Sequence, residues 1–462
     1  MPSRHPLGLP EILSHVASYV HKRSLPACAQ VSKGWYQAFI PQIWMDVHLG
    51  TEGPHLEAMP RYGHHVITLD VDLEDHALDS LRCPNLQSLT LTQCPRSTEL
   101  VLSHPHITRL SIYDAQLPEL WTTLLQLHSL RDLDLNGVSV LEQETDMFWQ
   151  LCTRLERLSV YDVFFTSQGQ LSSMKFPGLK ELHVDLYGIP LPLDFMVRCQ
   201  NLAVFGLYGG SMGRQELNDL VERIASGTWP NLHSVTVLPD QVSEDNLVSI
   251  MNGMQQITCL RLNCSSTIRP GTMNLLRQHF SSLKTLCLDS ERWSVTSPIA
   301  QELLSSCPLL ERCAFHHIDA TVIAEGEPWV CTRLRTLFMD LQFDPSTISD
   351  IQPRAFEQIA RLTRLEHLKL WNWKANGDGT VARFQTTVDL QLENGLNKLS
   401  TLRSLRIIDF TGSTQSMREK EMEWILEHWK SLEETRGKLN KEEPEVQDAL
   451  ARILKEHGLR VE

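Results

Sequence analysis

Apolar residues recur along most of this chain in one frame, apolar-x-x-apolar-x-apolar. It is most legible at Leu86-Gln87-Ser88-Leu89-Thr90-Leu91-Thr92-Gln93-Cys94, an L-x-x-L-x-L-x-x-C string. Numbered by its first apolar residue, the frame stands at Val66, Leu86, Ile107, Leu130, Leu155, Leu179 and Leu202. It continues at Leu232, Ile257, Leu283, Leu310, Leu334, Leu365 and Leu402, fourteen copies in all. The gaps run from 20 to 37 residues, mostly 23 to 27, which is room for one strand and one return segment each. Successive side chains of a strand point to opposite faces, so Leu89 and Leu91 are predicted inward and Ser88, Thr90 and Thr92 outward. One such unit cannot bury its apolar face, but a stack of them can. The pattern therefore predicts an α/β solenoid.

The return segments read as helices where they are long enough. Gly213 to Ala225 puts Leu217, Leu220, Val221 and Ile224 on one stripe, and Ser243 precedes Leu247, Ile250, Met251 and Met254. Ser297-Pro298 is a capped start with proline at the first helical position. A second signature sits just upstream of the frame: Cys83, Cys152, Cys199, Cys307 and Cys331 occupy it, as do His104, Phe176 and Trp229. These cysteines are expected to act as small buried hydrophobes. Asn376-Gly377-Asp378-Gly379 signals a loop, and Val446, Leu450, Ile453 and Leu454 predict a final amphipathic helix as a C-terminal cap.

Residues 7 to 49 leave the frame. Leu9 to Val20, Leu25 to Val31 and Ser32 to Ile40-Pro41 are three short helical segments, with Ser24 a candidate cap for the second. Trp44 to Leu49 then sketches a first, degenerate strand. The stretch resembles an F-box, through Leu9, Pro10, Glu11, Ile12, Leu13, Leu25, Val31, Ser32, Lys33, Trp35, Ile43 and Trp44 in the family's order. The L-P-x-E spacing of the family is shortened here to Leu9-Pro10-Glu11. The chain beyond residue 49 resembles leucine-rich repeats of the cysteine-containing kind often found behind F-boxes. The expected division is an F-box over 1–48 and a solenoid of about fourteen repeats over 49–462. The competing reading makes residues 7 to 49 a bare cap of the solenoid, but so small a unit does not bury that many apolar residues alone.

Composition narrows the function. There are 42 basic and 56 acidic residues, a net charge of −14, against a nucleic-acid or membrane-surface role. No apolar run approaches the roughly 18 residues of a span, and Met1 to Pro10 lacks a signal-peptide core. Eleven cysteines then read as reduced thiols of the cytosol or nucleus.

Positions two, four and six after each frame start are predicted to line the concave side. Position six supplies Tyr113, Tyr161, Tyr208, His316 and Trp371, residue types that dominate interface hot spots. Acids (Asp70, Asp72, Asp132, Asp134, Glu181, Asp185) fall in the first half of this surface, and bases (Arg261, Arg312, Lys369, Arg406) in the second. Two patterns for chemistry are weaker. Gly209-Gly210-Ser211-Met212-Gly213 fits a nucleophile elbow, with Asp289 and His316 as partners, yet it falls in register with the other repeats. Cys307, Cys313, His316 and His317 lack a second ligand pair at zinc-finger spacing. No metal or cofactor is expected.

The resemblance implies the substrate-recognition subunit of an SCF-type ubiquitin ligase, itself non-catalytic. It would bind a Skp-type adaptor, and through it a cullin, by way of Leu9, Pro10, Ile12, Leu13, Val16, Leu25, Val31 and Trp35. The repeats would hold a protein substrate. The alternatives are a repeat scaffold outside the ubiquitin system and a serine hydrolase using Ser211.

Overall fold

A proline in the first turn starts the first two helices. In α1 (Pro10–Ala17) the missing proline amide is one the helix would leave unbonded anyway. In α2 (Leu25–Ala29) Pro26 plays the same part, and the Ser24 side chain makes no capping bond. The third helix, α3 (Lys33–Trp44), is capped by Ser32, whose Oγ accepts the Trp35 amide at 3.3 Å. It runs through Pro41 instead of ending there. The hydrogen bond lost to proline is outweighed by the burial of Phe39 and Trp44 on either side of it. The computed structural model describes residues 9–20, 22–50, 56–72, 81–93, 97–114, 120–165, 174–185, 193–209, 214–264, 268–289, 295–344, 346–370 and 388–462.

The chain forms two compact units, 1–212 and 213–462. In the first, α1–α3 lead into β1 (Asp46–Leu49), which pairs parallel with β2 (Thr68–Val71). Parallel pairing continues through β3 (Ser88–Thr92), β4 (Arg109–Tyr113) and β5 (Asp132–Asn136). Beyond a two-residue side pair, β6 (Ser139–Val140) with β8 (Phe164–Phe165), the ladder goes on through β7 (Arg157–Tyr161), β9 (Glu181–Asp185) and β10 (Val204–Gly209). Alternation is as predicted: Leu89 and Leu91 are fully buried, while Ser88, Thr90 and Thr92 are half-exposed.

The second unit repeats the design with β11 (Ser234–Val242), β12 (Cys259–Cys264), β13 (Thr285–Asp289), β14 (Arg312–Asp319) and β15 (Thr336–Gln342). Then come β16 (His367–Lys369), β17 (Ile407–Asp409), β18 (Glu434–Arg436) and β19 (Arg460–Val461), all parallel. The helices Arg214–Ala225 and Glu244–Gly253 bury the predicted stripes. The terminal helix Pro444–Glu456 buries Leu450 and Leu454, and it is the return segment between two strands that the frame did not show. Among the described residues no helix is long and apolar enough to cross a membrane.

The last copy of the frame is displaced. Leu402 is not a repeat start: β17 pairs residue for residue with β16, so Leu405 is the equivalent of Leu365. Leu402 occupies the upstream slot, where its carbonyl accepts the Leu405 amide at 3.2 Å, as Cys83 does for Leu86 and Cys331 for Leu334. A leucine in that slot mimics the frame three residues early.

The slot cysteines are buried as expected. Burial pushes the Cys83 thiol up to about 11, and those of Cys199, Cys307 and Cys331 up to about 12, from an ordinary value of 9.0. A thiol whose folded value is raised favours folding below its unfolded value and loses that contribution as pH rises. Stability is therefore expected to decline from about pH 9 upward, and iodoacetamide at pH 8 to spare these four thiols until the chain unfolds. Rapid native labelling of Cys199 or Cys331 in a peptide map would contradict this.

Candidate binding surfaces

The N-terminal helices divide the eight expected contact residues into two sets. Leu13 and Leu25 are buried, and Val16 and Trp35 pack partly buried against the small core of Ala17, Leu25, Ala29 and Phe39. Trp35 stacks on Phe39 with centroids 5.1 Å apart. These four hold the unit together. Leu9, Pro10, Ile12 and Val31 remain exposed. Among the described residues ten large apolar side chains are exposed, and five of them (Leu9, Ile12, Tyr19, Val31, Tyr36) lie within the first 36 residues. Such concentration in one small unit makes this a candidate interaction surface. The unit is fixed to the first repeats by Trp44 stacking on Tyr62 at 4.8 Å, by the Tyr36–Tyr62 hydroxyl contact at 2.6 Å, and by Lys22 against Asp46.

On the strand face of the first unit, strict register sets Ser111, Asp134, Ser159, His183 and Gly206 in one line across five strands. Tyr113, Asn136 and Tyr161 form the next line. Tyr113 donates its hydroxyl proton to Asp134 Oδ2 at 3.1 Å. Burial lifts the Asp134 carboxyl above its usual range, with the Tyr113 bond opposing. Burial foremost, then Tyr208 and Asp134 nearby, push the Tyr161 phenol up to about 12. The Tyr161 and Tyr208 rings lie 5.8 Å apart, and the Tyr208 hydroxyl is 3.3 Å from His183 Nδ1. Gly206 permits this: a Cβ there would come within 2.6 Å of both His183 Nδ1 and the Tyr208 ring. Farther along the line, His48 and Asp70 pair at 2.9 Å.

The expected basic half is altered in the second unit. Arg261, Cys287, Ala314, Phe338, Lys369, Asp409 and Arg436 share one line. Lys369 stands 3.2 Å from Asp409 and over the Phe338 ring. Arg406 is off the line altogether, a consequence of the displaced frame. It occupies the position before the strand and makes a two-pronged bond to Glu433 at 3.0 and 3.1 Å. With Arg335–Glu366, and Glu434 held by Arg436 and Arg460, the bases belong to an alternating ladder of charge. Of the four expected bases, Arg261, Arg312 and Lys369 keep strand positions and Arg406 does not.

His316 is buried in a bulge of β14, beside His317, whose Nδ1 faces Asp340 at 2.9 Å. Trp371 and Ser211 fall outside the described residues, as does the side chain of Asp289. The strand before Ser211, β10, keeps the parallel pairing of its neighbours. His183 and Gly206 are central to the first unit's face, yet neither stands at the sixth frame position where the large side chains cluster. Their signal is the fourth position, which the register sets in line with Asp134.

Residues 10–50 match the family model described as F-box-like. No curated protein matches the chain. Among solved structures the chain is similar to the Rad7–Elc1 complex of yeast, at 16% identity over 87% of this chain and 88% of that one, with a TM-score of 0.43. It is also similar to a leucine-rich-repeat protein of Leptospira interrogans, at 14% identity over 88% and 98%, TM-score 0.38. An internalin of Listeria monocytogenes gives 13% identity over 76% and 81%, TM-score 0.31.

Proposed function

We propose that the F-box-like helices dock this chain onto a Skp-type adaptor of an SCF ubiquitin ligase, and that its strand faces hold a protein substrate. The observation that carries this is the coincidence of the F-box-like match with the exposed Leu9, Pro10, Ile12 and Val31. The subunit itself does no chemistry. It raises the local concentration of substrate beside the ubiquitin-conjugating enzyme by tethering. Its place is the cytosol or nucleus, where buried cysteines stay reduced.

A pull-down with purified Skp-type adaptor tests it. Ile12→Asp/Val31→Asp changes two exposed positions, so the fold is preserved while two charges enter the contact. Binding by the native chain, weakened on the order of 100-fold in the double variant, is the expected result. A folded native chain that does not bind would make this a repeat scaffold outside the ubiquitin system.

A further inference from the structure

Asp134 sits on β5 between Tyr113 on β4 and Tyr161 on β7, with Asn136 in line with the two tyrosines. Two strand spacings separate β4 from β7, about 10 Å; the Tyr113 hydroxyl reaches in to Asp134 and the Tyr161 ring lies against Tyr208, so the two tyrosines border a slot above Asp134 and Asn136. We propose that this slot receives the arginine or lysine side chain of an extended segment of the protein substrate, with Asp134 as counter-charge and the tyrosine rings as walls. The proposal rests on the reading of the strand face as a substrate-binding surface.

The chemistry of the slot favours a cation over other ligands. Tyr113 spends its only hydroxyl proton on Asp134, so its oxygen offers only lone pairs outward. The Asp134 carboxylate is poorly solvated, and among the described residues no donor reaches its Oδ1. A charge in such surroundings attracts an opposite one more strongly than it would in water. The bases on the neighbouring strands, Arg109 and Arg157, stand in the line on the far side of Ser111 and Ser159, and Arg157 is engaged by Asp132. Tyrosine faces carry negative quadrupole density and draw ammonium and guanidinium groups. Tyr161, its phenol held up to about 12, presents a neutral ring at any working pH. An anionic ligand would meet Asp70 and Asp134 on this same face.

The test uses the full chain without adaptor and fluorescein-labelled nonapeptides of glycine and serine bearing one central arginine, lysine, citrulline or glutamate. Anisotropy titrations are expected to show the arginine and lysine peptides binding at least about tenfold more tightly than the citrulline peptide. Asp134→Asn keeps an acceptor for Tyr113, and Tyr161→Ala removes one wall; each should abolish that preference. Asp162→Asn, at an exposed acid just beyond β7, should leave it intact. Equal binding of arginine and citrulline peptides, no binding of any, or equal losses in Asp134→Asn and Asp162→Asn would overturn the proposal; the last would mean only general attraction to an acidic chain. Ile12→Asp/Val31→Asp should bind the peptides normally, so failure to engage the adaptor and failure of the slot are read separately.

Discussion

Trp149→Ala is expected to lower the unfolding free energy of the first unit by about 3–5 kcal/mol. The indole is 1% exposed in the helix Glu142–Cys152 and lies within 4.7 to 6.3 Å, centroid to centroid, of Phe148, Phe165, Phe176 and Phe195. Trp121 extends the cluster through Phe148, and Phe176 packs edge-on to Phe195 at 4.6 Å. These rings come from four successive return segments, so the cluster ties several repeats together where each alone would stay open. Alanine leaves a cavity lined by rings that cannot collapse without moving the strands they are attached to. Urea unfolding with hydrogen exchange followed at β7 and β9 would read the effect. A loss below about 1 kcal/mol would mean that the repeats are held by their strand ladder alone.

The repeats were legible because a strand's alternation and a leucine's size leave little choice: Leu89, Leu110, Leu133 and Leu158 each pair with the next and each is buried. The strand ends were less so. The residue after each of β3, β4, β5 and β7 turns left-handed, with φ of 49° at Gln93, 51° at Asp114, 66° at Gly137 and 48° at Asp162. The amides of Gln93, Asp114 and Gly137 each bond the last strand carbonyl of the next repeat. Aspartate and glycine, at three of these four places, tolerate that backbone, so the signal lies at the seventh position, one residue before the more conspicuous Cys94. The division of the N-terminal residues was not legible. Leu9 and Leu13 are equally apolar, and only their placement in the folded unit decides that Leu13 is buried while Leu9 is exposed. Arg406 was misplaced for the opposite reason: the sequence offered two leucines in frame, and pairing between distant strands chose the second.

Gln352→Leu, at a residue that no apolar pattern marks, is expected to cost the second unit about 3–5 kcal/mol, as much as the tryptophan costs the first. Gln352 is fully buried in the helix Ile348–Ile359. Its Nε2 donates to the carbonyls of Asp389 and Asn394 at 2.6 and 2.7 Å, and its Oε1 accepts the Asp389 amide at 2.9 Å. Leucine fills nearly the same volume but leaves three backbone groups of the segment 389–394 without their partner, each at about 1–3 kcal/mol where water cannot reach. From the next return segment Gln415 grips the same stretch, donating to Val388 and accepting from Leu390 at 2.7 and 2.8 Å. Among the described residues of this return segment the two glutamines hold a stretch with no α-helix of its own, since Leu392–Asn394 and Leu396–Thr401 are short 3₁₀ segments. Because both act on one segment, the double variant Gln352→Leu/Gln415→Leu should fall short of the sum of the single losses by more than about 0.5 kcal/mol. Gln352→Glu separates shape from hydrogen bonding: it keeps the acceptor but sets a carboxylate against two carbonyls, and should destabilise at least as much as leucine. The Asp389 and Leu390 amides, followed by hydrogen exchange, should lose protection in every one of these variants. If Gln352→Leu cost less than about 1 kcal/mol with those amides still protected, the segment would be held by its leucines, Leu390, Leu396 and Leu399, and the glutamines would merely be accommodated among them.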